Sequence, residues 1–154
     1  MNTFENTVTI RRAPREVFAF LADFQNLPKW NYAIEQTVKV SPGPVGVGAT
    51  YRQTRSLPRR GEEDFEVTVF DPPRRLAIYG QIGPFRARIS YLLEAADGGT
   101  RLTNSVELEP PTALGLPARL AAPRIKAAVA RNLGKLKLIM EEPATGDSAG
   151  LAGA

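Results

Sequence analysis

The chain has 154 residues and contains neither cysteine nor histidine. Disulfides, thiolate metal sites and cysteine nucleophiles are therefore excluded. So are a Ser-His-Asp triad and a histidine-based zinc centre, because histidine is the usual general base near neutral pH and the commonest metal ligand. Carboxylates, Lys, Arg, Tyr, Ser, Thr and amides remain. Among these, Gln53, Arg55, Tyr91 and Asn104 are of a type that polarises a carbonyl, which assists reactions in which oxygen gains negative charge. Gln53 and Arg55 are two residues apart, so in a strand they share one face. Tyr51 adds a hydroxyl at the same parity, and Gln36 is read as inward in its own strand. No carboxylate in a strand core joins them, since Glu35, Glu66 and Glu107 fall on the outward side. That set is poorly equipped for proton abstraction.

Strands and one long helix must position these groups. Residues 4–12 read as a first strand, with Phe4, Val8 and Ile10 on one parity. Pro14 suits the first turn of a helix. Val17, Phe20, Leu21 and Phe24 then recur at helical spacing. Leu27-Pro28-Lys29-Trp30 reads as a turn or short second helix. Strands are predicted over about 33–40, 49–56, 62–70, 75–81, 85–95 and 100–109, separated by Pro- and Gly-rich turns. Asp97-Gly98-Gly99 is a hairpin signal. Pro110-Pro111 closes the sheet. A helix occupies about 114–142 and should kink or restart at Pro123, because proline removes a helical hydrogen bond.

Parity assigns the faces. Phe65, Val67 and Val69 oppose Glu62, Asp64 and Glu66 in the fourth strand. Phe85, Ala87, Ile89, Tyr91 and Leu93 oppose Arg86, Arg88 and Glu94 in the sixth. Leu102, Asn104, Val106 and Leu108 oppose Thr103, Glu107 and Glu109 in the seventh. The hairpin should then bring Arg88 opposite Glu107 and Arg86 opposite Glu109, as ion pairs on the outer face. The last helix carries a covering stripe of Ile125, Val129, Leu133, Leu136 and Met140. The expected fold class is thus α+β, a curved antiparallel sheet of about seven strands gripping a long C-terminal helix around an internal apolar cavity. The candidate ligand-binding residues are Tyr51, Gln53, Arg55, Phe65, Val67, Ile78, Phe85, Ile89, Tyr91, Asn104, Val106, Ile125 and Val129. The inward polar groups have three possible roles: touching a ligand, meeting one another through water, or sitting at the open end of the sheet. Arg55 also has the reach to snorkel out of the core.

Composition sets the remaining bounds. Hydrophobic residues are 43% and charged residues 23%, an ordinary globular balance. The net charge of +4 falls short of a nucleic-acid footprint. No apolar run approaches the roughly 20 residues that span a bilayer. The N-terminus lacks a signal-peptide layout, so a cytoplasmic location is expected. Residues 110–140 hold six basic residues and no acidic one. Such a helix can lie on a membrane surface, or cover the sheet and turn a solvated basic back outward. The second is favoured because the sheet needs a cover. One domain over residues 1–142 and a disordered tail over 143–154 are expected.

The order of elements resembles the START-like helix-grip superfamily, and within it the polyketide cyclase/dehydrase and lipid-transport family. The resemblance is carried by Val8 through Ala13-Pro14 with Glu16-Val17-Phe18, by Leu21-Ala22-Asp23 and by Leu27-Pro28-Lys29-Trp30. Asp71-Pro72-Pro73-Arg74-Arg75-Leu76, Gly98-Gly99-Thr100-Arg101-Leu102-Thr103 and Asn132-Leu133 with Leu136-Lys137 and Glu141 add to it. These are fold signatures without chemistry of their own. The resemblance implies a carrier or binder of a lipid, a quinone or a polyketide-like molecule, without cofactor or metal. It also admits, in second place, a cyclase or dehydratase that works by shaping a reactive chain. An interaction module using the basic helix, at a membrane surface or on a protein, is the third function class.

Overall fold

The computed structural model describes residues 2–109 and 118–143. The predicted closing prolines, the start of the last helix and the tail from 144 onward lie outside the described residues.

Seven strands form one antiparallel sheet. They are β1 (Asn2–Ile10), β2 (Ile34–Lys39), β3 (Thr50–Arg55), β4 (Gly61–Asp71), β5 (Arg75–Ile82), β6 (Phe85–Ala96) and β7 (Gly99–Leu108). Their spatial order is β1-β7-β6-β5-β4-β3-β2. Six strands follow one another as a meander, and β1 returns to pair with β7. Between β1 and β2 the chain makes α1 (Pro14–Ala22), a 3-10 turn (Phe24–Asn26) and α2 (Leu27–Trp30). Pro14 opens α1, and the Glu16 carboxylate accepts the Ala13 N–H at 3.1 Å, satisfying one exposed helix donor. The last helix, α3, runs through Ala118–Glu141 with Pro123 inside it. It is one helix across the proline rather than two. Pro123 stands in the second turn of the described helix and is exposed, so its missing N–H is next to solvent.

Parity holds where the ladders are regular. In β6 and β7 Phe85, Ala87, Tyr91, Leu93, Leu102, Asn104, Val106 and Leu108 are buried, while Arg86, Arg88 and Glu94 are exposed. It fails at two bulges. The register of β2 on β3 slips between Ile34 and Gln36, which turns Gln36 outward and Thr37 inward. The register of β4 on β5 slips between Val67 and Val69, leaving Val69 exposed and bringing Phe70 against Phe18 at 5.5 Å. A bulge inserts one residue into one strand only, so every later side chain changes face.

On the outer face Arg88 stands opposite Glu107, and the Glu109 N–H donates to the Arg86 carbonyl. The predicted ion pairs nevertheless do not form. Tyr79 in β5 donates its hydroxyl to Glu109 at 2.7 Å and accepts from Arg86 Nε at 3.3 Å. The Arg86 and Arg88 guanidinium groups lie 4.9 and 5.8 Å from its ring centroid. The aromatic face on the neighbouring strand competes for both cations.

The two halves of α3 are held differently. Leu133 and Leu136 are buried in the main core, whereas Ile125 and Val129 are only half-buried. The C-terminal end is also latched to the end of β1. Glu141 accepts the Arg11 N–H at 2.8 Å and Lys137 Nζ at 2.9 Å, Arg12 Nε reaches the Met140 carbonyl at 2.6 Å, and Lys137 bonds the Thr9 carbonyl.

Candidate functional site

The site arises where inward side chains become small. Gly80 in β5, Ala87 in β6, and Ala121 and Ala128 in α3 cannot fill the space between sheet and helix. A cavity of about 840 Å³ results, within the usual range for a small-molecule site. Gly80 is also required by close approach: a Cβ there would lie 2.4 Å from the Asp64 carbonyl oxygen and 2.5 Å from Phe65 Cβ.

Eleven of the thirteen candidate residues line this cavity. Phe65, Ile78, Phe85, Ile89 and Val106 supply apolar wall from the sheet, and Ile125 and Val129 supply it from the helix. Gln53, Arg55, Tyr91 and Asn104 supply the polar groups. The other two are placed elsewhere. Val67 is 1% exposed and belongs to the packed core, in one cluster with Val17, Phe18 and Leu133. Tyr51 packs against Phe24 at 4.8 Å and stacks on Phe65 at 5.2 Å. It lines a second, more open recess of about 640 Å³ beside α1, with Phe18, Phe70 and Pro72. Burial and the Asp23 carboxylate push its phenol up from the ordinary value.

Two residues outside the candidate set organise the polar side of the site. Glu63 is buried, at the same parity as Phe65, which corrects the expectation that no carboxylate points inward. Its carboxylate accepts from Gln53 Nε2 at 2.9 Å, Arg55 Nε at 2.7 Å and the Gly83 N–H at 2.8 Å. Three donors on one carboxylate give this buried acceptor the hydrogen bonds it needs. Arg55 is thereby fixed at the cavity wall, with Nη1 also donating to the Leu57 carbonyl at 3.3 Å. Counting back by two from Phe65 would have found Glu63. Asn132 is the second. It is buried on the cavity side of α3, seven residues from Ile125 and three from Val129, and its Oδ1 accepts the Tyr32 N–H at 3.2 Å. Helical spacing would have found it.

Asn104 and Tyr91 face each other across β6 and β7 at the cavity floor. Desolvation pushes the Tyr91 phenol well up, so it stays protonated. The rim contains Tyr32, Leu57 and Leu120, all exposed, and the cations Arg124 and Arg131. Among the described residues no three His, Cys, Asp or Glu side chains converge as a metal-holding group. No helix of the described residues is long and apolar enough to cross a membrane.

Solved structures share this architecture. A protein from Mesorhizobium loti, MLL2253, superimposes with a TM-score of 0.71 at 16% identity, covering 91% of this chain and 97% of that one. Ara h 8.0201 gives 0.70 at 20% identity over 92% and 99%. The di-domain ARO/CYC BexL from the BE-7585A biosynthetic pathway gives 0.69 at 14% identity over 92% of this chain and 50% of that one. At these identities the likeness is one of fold. An uncharacterised protein of Mycobacterium tuberculosis is 33% identical over 108 residues, which is 65% of this chain and 61% of the relative. The match thus spans less than two thirds of that relative's length. A family model matches residues 1–141, nearly the whole sheet-and-helix unit, and the chain belongs to the polyketide cyclase/dehydrase and lipid transport family.

Proposed function

We propose that this chain binds a small, largely apolar molecule, of lipid, quinone or polyketide-like class, in the cavity between the sheet and the first half of α3. The carrying observation is the cavity itself: about 840 Å³, walled by Phe65, Ile78, Phe85, Ile89, Val106, Ile125 and Val129. A ligand presenting about 250 Å² of apolar surface, comparable to a large aromatic side chain, gains about 6 kcal/mol at ~25 cal/mol per Å², before association costs. An environment-sensitive hydrophobic dye should bind with a stoichiometry of about one and be displaced by competing apolar ligands. Ile89→Arg should abolish dye binding while the thermal melt remains cooperative, because it puts a charge into the apolar wall. Unchanged dye affinity in that variant would remove the cavity as the site. Val67→Arg is not an equivalent test, since Val67 lies in the packed core.

One observation favours a second reading, a cyclase or dehydratase. Glu63 holds the Arg55 guanidinium at the cavity wall, where it is placed to stabilise an oxyanion on a bound carbonyl. Glu63 itself is committed to three donors and is poorly placed to remove a proton. If a polyketide-like substrate is converted, Arg55→Met should eliminate turnover with little change in affinity, the pattern of lost transition-state stabilisation. Binding without conversion supports the carrier.

A further inference from the structure

We infer that the cavity floor is built for a ligand that donates a hydrogen bond, through a phenolic or alcoholic hydroxyl, to Asn104. The inference rests on the cavity being the ligand site.

Asn104 is 1% exposed, and its Oδ1 has no hydrogen-bond partner in the protein. Its Nδ2 donates to the Ser90 carbonyl at 3.4 Å. That bond sets the orientation of the amide, because a flip would aim Oδ1 at another carbonyl oxygen. The acceptor is therefore the free end. Neighbouring side chains do not supply the missing donor. Leu102 and Val106, two residues away on the same face, are apolar, and Asn6, opposite in β1, spends its Nδ2 on the Lys126 carbonyl at 3.2 Å. Tyr91, opposite in β6, makes no hydrogen bond to Asn104.

A buried acceptor left without a donor is costly, and a site of this kind discriminates strongly against analogues that lack the matching group. Oδ1 has almost no accessible surface of its own, so a hydroxyl on the floor satisfies it by displacing the side chains that close over it. An ether, a quinone oxygen or a carboxylate presents only acceptors there and leaves it unpaired. Desolvation keeps the Tyr91 phenol protonated, so no negative charge beside the floor repels a ligand hydroxyl or competes for its proton. The chain should accordingly prefer hydroquinones to quinones, and phenols and alcohols to their capped forms.

β-Naphthol and its methyl ether test this, by calorimetric titration of the wild-type chain and of Asn104→Leu, with dye binding and a thermal melt as controls. The ether carries one more carbon, so burial alone favours it. The wild-type chain should prefer the naphthol by about tenfold or more. In Asn104→Leu that preference should collapse to about twofold or less, with affinity for the ether held or improved. Equal wild-type affinities overturn the inference without reference to any variant, as when a retained water satisfies Oδ1. So does a preference that survives in a folded Asn104→Leu. If dye and both naphthalenes all fail to bind the wild-type chain, the ligand-binding function itself has failed and the inference with it. If dye binds and the two naphthalenes do so equally, only the inference is lost.

Discussion

At one end of the molecule Phe24, Tyr51 and Phe65 meet ring to ring, at 4.8–5.2 Å between centroids, in the same core cluster as Leu133 and Leu136. At the other, Gly80, Ala87, Ala121 and Ala128 line a cavity of about 840 Å³. The same sheet and the same helix serve both ends. Side-chain volume alone separates a region that carries stability from one that carries a site. The latch of Glu141, Lys137 and Arg12 lies on the packed end of α3, so the half over the cavity needs few contacts of its own.

The largest effect should come from hollowing the packed end. Leu136→Ala removes a fully buried side chain and should cost about 2–5 kcal/mol in denaturant unfolding. Ile125→Ala, on the same stripe but beside an existing cavity, should cost less than about 1 kcal/mol, since little new void is created. It should instead weaken dye binding several-fold. Equal destabilisation by the two substitutions would erase the distinction between the ends.

Next comes the polar cluster at the cavity wall. Glu63→Ala leaves the Arg55 guanidinium, 12% exposed, without its carboxylate. Removing one partner of a buried pair should cost about 3 kcal/mol, the low end of the range because Arg55 keeps some water contact. Glu63→Gln retains an acceptor and should cost less. A stability loss near zero for Glu63→Ala would show that the cluster is solvated rather than structural.

The smallest effect concerns the latch. Lys137 and the Arg11 N–H hold the Glu141 carboxyl below its ordinary value of 4.5. A carboxyl depressed in the folded state stabilises the fold above its unfolded value, and that contribution is lost as pH falls through the folded value. Glu141→Gln should therefore lower the melting temperature near neutral pH. The gap to the wild-type chain should close as pH falls below 4.5 toward the depressed folded value. A gap independent of pH would assign the effect to packing of the side chain and not to its charge.

Much of this was legible before any coordinates. Alternation in β6 and β7 placed Phe85, Ile89, Tyr91, Asn104 and Val106 on the cavity face, and helical spacing placed Ile125 and Val129 opposite them. Gln36 and Val69 were misplaced because parity counting assumes an uninterrupted ladder, and the bulges in β2 and β4 interrupt it. Glu63 had the right parity but the wrong chemistry for a core, and only its three donors make its burial tolerable. Those donors come from β3 and from Gly83 in the β5–β6 turn, whose convergence no local pattern records.

The sequence by itself determined the antiparallel sheet, the covering helix and the absence of histidine and cysteine chemistry, because periodicity and composition are properties of the chain alone. Tertiary structure decided which inward residues pack and which line the cavity. Val67 and Ile89 are both apolar inward strand residues, yet one is core and the other cavity wall. The difference lies in what stands across from each: the packed core in one case, small residues of α3 in the other. That pairing of distant surfaces exists only after the sheet curves around the helix.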